Sequence, residues 1–80
     1  MTAPAMYKLL KTVLVDELQC READVTPAAR RADVGLDSLA AVELAVILQS
    51  RFALGIADYE LLDAVTVGDI AELMASRSDG

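Results

Sequence analysis

Met6, Leu9, Leu10, Val13, Leu14 and Leu18 recur at the i, i+3, i+4 and i+7 spacing of one helical face. Lys8, Lys11, Asp16 and Gln19 fall on the opposite face, which belongs in water. The pattern predicts a first helix from about Pro4 to about Cys20. Thr2 is its expected N-cap, and Pro4 is tolerated because it lies in the first turn. Residues 21–36 lose this rhythm. Thr26-Pro27, the Arg30-Arg31 pair and Gly35 mark a long connection, a kind of loop that is often functional in small domains. Val25, Val34 and Leu36 are its expected anchors to the core.

A second helix is predicted from Asp37-Ser38 to about Arg51, with Asp37 as N-cap and Ser38 as first helical residue. Ala41, Leu44, Ala45, Leu48 and Phe52 form one apolar stripe, expected to pack on the first helix. Leu39, Val42 and Val46 form a second stripe on a different face, beside Glu43. A helix apolar most of the way round must be surrounded by protein or must bind something. Eighty residues cannot easily surround it, so a partner or a bound apolar chain is expected to cover part of that surface.

Phe52 to Ile56 is an apolar connection that turns at Gly55, and Asp58 to about Asp63 makes one short helix with Asp58 as its expected cap. The last helix starts at Thr66, where Thr66-Val67-Gly68-Asp69 approximates a capping box. Val67, Ile70, Ala71 and Met74 form its buried face, and fraying is expected from Ser76 onwards. The fold class expected is all-α: a small four-helix bundle with a long loop between helices 1 and 2 and a short third helix. It makes a single domain over residues 1–80, with an ordered core at about 4–76.

Composition narrows the functions open to such a bundle. Apolar residues make up 55% of the chain, mostly small aliphatics that suit close-packed helices, with Tyr7, Phe52 and Tyr59 as the aromatics. The net charge of −6 and the lack of a Lys/Arg cluster exclude nucleic acid as a partner, and the acidity either recruits proteins with basic docking patches or only maintains solubility. Cys20 stands alone, which leaves no intramolecular disulfide and no thiolate metal cage. Histidine is absent, which removes the commonest general base and the imidazole metal ligand. No catalytic residue and no metal site can be named, and an enzyme is not expected. Met1-Thr2-Ala3-Pro4 lacks a basic start and a continuous apolar stretch behind it, so no signal peptide is expected. The charges at Lys8, Lys11, Asp16 and Glu17 interrupt the first apolar segment, so no membrane span is expected either. The expected compartment is the cytoplasm.

Chemistry concentrates at Gly35-Leu36-Asp37-Ser38-Leu39. Gly35 lets the chain turn, Asp37 caps, and Ser38 is left at the exposed start of a helix. That end carries free N–H groups and a partial positive charge, so a phosphodiester on the Ser38 hydroxyl would sit favourably. No base accompanies the hydroxyl, and an external enzyme must therefore modify it. Taken alone, Asp-Ser before an apolar run is also an ordinary capping signal.

The framework around this motif resembles the acyl carrier protein family over nearly the whole chain. Gly35-Leu36-Asp37-Ser38-Leu39 is followed by Val42-Glu43-Leu44, then by Phe52 with Leu54 and Ile56, then by Thr66-Val67-Gly68-Asp69, all in the family's register. The resemblance implies that Ser38 receives 4′-phosphopantetheine from coenzyme A through a magnesium-dependent phosphopantetheinyl transferase. The terminal thiol of that arm would then hold an acyl group as a thioester. It implies partner contacts at Asp37, Leu39, Val42, Glu43, Val46 and Glu60. The partners would be a ketosynthase, an acyltransferase or an acyl-loading enzyme. In similar proteins the acyl chain shelters between the second and third helices. Leu44 and Leu61 are its implied contacts, with Leu61 counted in the surplus apolar surface. The carrier would be a monomer, and the compact termini suggest a discrete protein, although a domain cut from a larger synthase would look similar.

Two departures qualify the resemblance. Fatty-acid carriers usually bear an acidic residue two after the modified serine and more along the helix, whereas Ala40 and Gln49 stand here. Recognition should lean on Val42, Val46 and shape, which fits polyketide or other specialised metabolism better than fatty acid synthesis. Arg31 stands where related carriers often place an aliphatic residue that pins the loop. Its stem could lie on the surface with the head in water. Alternatively, Val25 and Val34 could hold a more mobile loop. A peptidyl carrier is the nearest rival, although those often show Gly-Gly-His-Ser or Gly-Gly-Asp-Ser. From another class, a helical module could dimerise through Leu39, Val42 and Val46.

Overall fold

A computed structural model describes residues 2–78. Helix α1 spans Ala3–Asp16, α2 Ser38–Phe52, α3 Asp58–Asp63 and α4 Val67–Ser78, and short 3₁₀ turns at Glu22–Asp24 and Arg31–Val34 punctuate the long loop. The all-α bundle read from the apolar spacing is therefore what forms. Its backbone pairing differs in one respect. α1 packs mainly against α4, and α2 mainly against α3. The Ala41, Leu44 and Leu48 stripe shares one core with α1, where Leu10, Leu14, Leu44, Leu48, Ile70 and Met74 are all fully buried. Each such side chain contributes roughly 2 kcal/mol of apolar burial.

α1 ends at Asp16, not near Cys20. Gln19 adopts a left-handed conformation at φ +58°, and the Cys20 N–H turns back to the Leu14 carbonyl at 2.8 Å. This is the wrap that closes a helix in a left-handed cap. Leu18, expected on the buried face, consequently lies half-buried at its edge. α3 starts at Asp58, yet its cap is Ala57, whose N–H donates to Glu60 Oε2 at 2.9 Å. Asp58 is the first helical residue and does not cap. The α4 capping box forms as expected, with Thr66 and Asp69 exchanging backbone-to-side-chain bonds of 3.1 Å each. Fraying from Ser76 is not seen as far as Ser78. Both serine hydroxyls donate to carbonyls one turn back, Ser76 to Leu73 and Ser78 to Ala75. Asp79 and Gly80 lie outside the described residues.

The long loop is tied down from Val25 onwards. Val25, Val34 and Leu36 are buried as expected. The Tyr7 hydroxyl donates to the Val25 carbonyl at 3.0 Å, and the Cys20 thiol to the Val34 carbonyl at 3.3 Å. Backbone bonds then lace the loop to the start of α4. Gly68 N–H donates to Pro27 O at 2.8 Å, Val67 N–H to Ala29 O at 2.9 Å, and Arg31 N–H to Val65 O at 2.9 Å. Position 68 must be glycine for this contact, since a Cβ there would stand 2.8 Å from the Pro27 carbonyl oxygen.

Candidate functional site

The loop delivers the chain to α2 through a turn that its residues dictate one by one. Gly35 sits at φ +82°, a left-handed conformation that a side chain would strain, and closes the second 3₁₀ turn. Leu36 follows with its side chain buried. Asp37 is extended and caps α2, its Oδ1 accepting from the Ala40 N–H at 2.9 Å. Ser38 is the first helical residue and is exposed. Among the described residues no side-chain hydrogen bond holds its hydroxyl, and with no histidine in the chain nothing local activates it.

Electrostatics favour an anion here. The Ala40 and Ala41 N–H groups are taken by Asp37, while those of Ser38 and Leu39 lie at the open end of a 15-residue helix. A phosphodiester on Ser38 would face those donors and the positive end of the helix dipole, with open solvent beyond. The residues present fit such a group.

Beside Ser38 runs the second apolar stripe. Leu39, Val42 and Val46 are 69%, 44% and 61% exposed, and Glu43 is exposed among them. Val42, Ala45 and Val46 continue into an open groove whose far wall is Gly55, Ile56 and Ala57. Leu61 does not belong to this surface. It is fully buried, as is Leu44, so both belong to the interior between α2 and the rest of the bundle. The short α3 presses that side chain inward, which its few residues gave no means to foresee.

Glu60 is engaged within the chain. Besides the Ala57 N–H, its carboxylate meets the Arg77 guanidinium through both oxygens, and Arg77 Nη1 also donates to Gly55 O at 3.0 Å. The hydrogen bond from Arg77, then that from Ala57, holds the Glu60 carboxyl below the usual carboxylate range. Arg77 is thus a clamp from α4 onto α3 and its entry loop. Seventeen residues separate it from Glu60, too far for any local pattern to reveal.

Arg31 also departs from expectation. Its head is not free in water: Nη1 donates to the Leu36 carbonyl, and Nε is enclosed by protein without an acceptor among the described residues. Burial pushes the Cys20 thiol above its ordinary range, in keeping with a structural role. No metal-binding cluster occurs among the described residues, and no helix is long and apolar enough to cross a membrane.

Comparison with known families agrees with this geometry. Residues 8–74 match the family described as the phosphopantetheine attachment site, from the first turns of α1 to the last buried residue of α4. The match covers the loop, the Asp37-Ser38 turn and all of α2 and α3. Members of this family carry 4′-phosphopantetheine and are generally non-catalytic. The chain belongs to the phosphopantetheine-attachment family, and it is a phosphopantetheine-bearing carrier protein.

Proposed function

We propose that Ser38 is the attachment point, and that the chain is a discrete acyl carrier protein serving polyketide or other specialised metabolism. The observation that carries the attachment point is the placement of an exposed, unbonded hydroxyl on the first residue of α2, directly after the capping Asp37. In the modification, Ser38 Oγ forms an ester bond to the pantetheine-side phosphorus of coenzyme A. The pyrophosphate bond breaks, adenosine 3′,5′-bisphosphate leaves, and the hydroxyl proton passes to a base on the transferase. Once attached, the arm supplies a terminal thiol that can hold an acyl group as a thioester.

The chain's own residues supply the tether and the docking face, with no turnover of their own. Leu39, Val42 and Val46 form the apolar centre of that face, and Asp37 and Glu43 its carboxylates. Glu60 contributes by holding α3 through Arg77, which shapes the far side of the groove. The partners are a phosphopantetheinyl transferase, then a ketosynthase, acyltransferase or other acyl-loading enzyme. An acyl chain sheltering against Leu44 and Leu61 would have to part α2 from α3, because both side chains are already covered. The carrier works as a monomer in the cytoplasm. The preference for specialised metabolism rests on Ala40 and Gln49, which stand where fatty-acid carriers bear acids.

Intact-protein mass tests the attachment point. Wild type and Ser38→Ala are incubated with coenzyme A, magnesium and a promiscuous phosphopantetheinyl transferase, with reductant present to keep Cys20 from forming a mixed disulfide. One added arm on the wild type alone is the expected result. A folded wild type that gains nothing from several such transferases, or a Ser38→Ala protein that gains the arm, removes Ser38 from the role.

A further inference from the structure

Leu36 is the last residue before the α2 cap, and Arg31 takes both of its backbone polar groups. The Leu36 N–H donates to the Arg31 carbonyl at 3.0 Å, and the Leu36 carbonyl accepts from Arg31 Nη1. That carbonyl lies one residue outside the α2 ladder, whose first bond runs from Ala41 N–H to Asp37 O at 2.9 Å. Among the described residues no backbone N–H donates to it, so the guanidinium supplies a donor the helix cannot. Arg31 is itself anchored. Its N–H donates to Val65 O at 2.9 Å, and its neighbour Arg30 forms an isolated antiparallel bridge with Thr66. A continuous set of bonds therefore runs from the cap of α4, through Arg31, to the residue that feeds the Asp37-Ser38 turn.

The other end of the guanidinium separates positioning from packing. Nε is enclosed without an acceptor among the described residues, an arrangement that is unfavourable for a donor. An aliphatic side chain would fill the same space without that liability. Arginine is a poor choice here for packing and a suitable one for holding a carbonyl.

We propose that Arg31 is a positioning residue for the modification of Ser38. By fixing the Leu36 carbonyl it sets the path of the chain into α2, and with it the direction from which Ser38 Oγ meets the phosphorus of coenzyme A on a transferase. The proposal rests on Ser38 being the attachment point. Among the described residues no hydrogen bond or ion pair joins Arg31 to the docking stripe, so the effect belongs to the transfer step and not to carrier affinity.

The test compares wild type, Arg31→Met and Arg31→Lys as substrates of one phosphopantetheinyl transferase, with the modified residue mapped by peptide mass. Arg31→Met keeps the stem and removes the donors. For it, kcat is expected to fall about tenfold, as small misplacements of a reacting group do. Its KM should stay within about twofold of wild type. Arg31→Lys, with one flexible donor, should lie between. Because a bond and an unsatisfied donor are deleted together, the Tm of Arg31→Met should move by less than about 4 °C. An unchanged kcat, or a loss confined to KM, overturns the proposal. A wild type not modified at Ser38 instead overturns the attachment point, and the two failures are distinct. Should Arg31→Met not fold, the wild-type chain decides by NMR. A slowly exchanging Arg31 Nη–H with scalar coupling to the Leu36 carbonyl supports the tie, and its absence removes it.

Discussion

Two left-handed residues bracket α2, and they invite opposite substitutions. Gly35, at φ +82°, has nothing within 4 Å of where a Cβ would stand. Gly35→Ala therefore tests backbone strain without a clash, and should destabilise by about 1 kcal/mol. Ala53, at φ +55°, caps the other end. Its N–H donates to Gln49 O, and the next N–H, of Leu54, returns to Leu48 O, both at 3.1 Å. Replacing Ala53 with glycine relieves about 1–2 kcal/mol of strain and returns roughly half of it as unfolded-chain entropy. The net expectation is a stabilisation of about 0.5 kcal/mol. Thermal unfolding of both variants checks the signs, and a less stable Ala53→Gly protein would show that the Ala53 strain is not real. These positions also mark a limit of sequence reading. Gly35 announces its turn, because glycine is the usual occupant of such a conformation. Ala53 and Gln19 do not, since a left-handed alanine or glutamine is held by the backbone bonds that close the helix and not by its own preference.

At the scale of elements, α3 is too short to hold itself and depends on its clamp. The six residues Asp58–Asp63 contribute one fully buried side chain, Leu61. Glu60 adds bonds to the Ala57 N–H and to Arg77, and Arg77 adds one to Gly55. Because Glu60 titrates below its ordinary value of 4.5, the folded state prefers its charged form. The stabilisation is present above the ordinary value and is lost as pH falls through the lower folded value. Glu60→Gln should accordingly destabilise the protein at neutral pH, with the difference from wild type shrinking on acidification below about 4.5. Amide exchange at Leu61 and Leu62 should report it first. A difference that stays constant with pH would place the effect elsewhere than the carboxylate. The span of α3 was legible between the turn at Gly55 and the start of α4 at Thr66, while its cap at Ala57 and its clamp were not. Likewise the start of α2 and the box opening α4 followed from local chemistry, Asp37 before Ser38 and Thr66 before Asp69. The end of α1 did not, because Leu18 continues the apolar rhythm past Asp16, where the helix ends.

Across the whole molecule, the net charge of −6 and the exposed apolar stripe offer partners two different kinds of handle. Their balance is the part of the site that fold alone leaves open. The acidic balance favours association with basic surfaces and gives way to salt. Around Ser38, however, the carboxylates flanking the stripe are those of Asp37 and Glu43, and Glu60 is occupied by Arg77. Leu39, Val42 and Val46 stay in water in the free chain, as does Val65, whereas the other large aliphatics among the described residues are at least partly buried. Covering one valine side chain contributes roughly 1.5 kcal/mol, or about tenfold in affinity. Val46→Ser should therefore raise the KM of the phosphopantetheinyl transferase for this carrier by about tenfold. Its Tm should hardly change, because Val46 is 61% exposed and lies outside the core. Added salt should raise the same KM far less. Steady-state kinetics of both proteins across a salt series separates the handles. A steep salt dependence with no effect of Val46→Ser would assign recognition to the acidic field, and the stripe would then need another occupant.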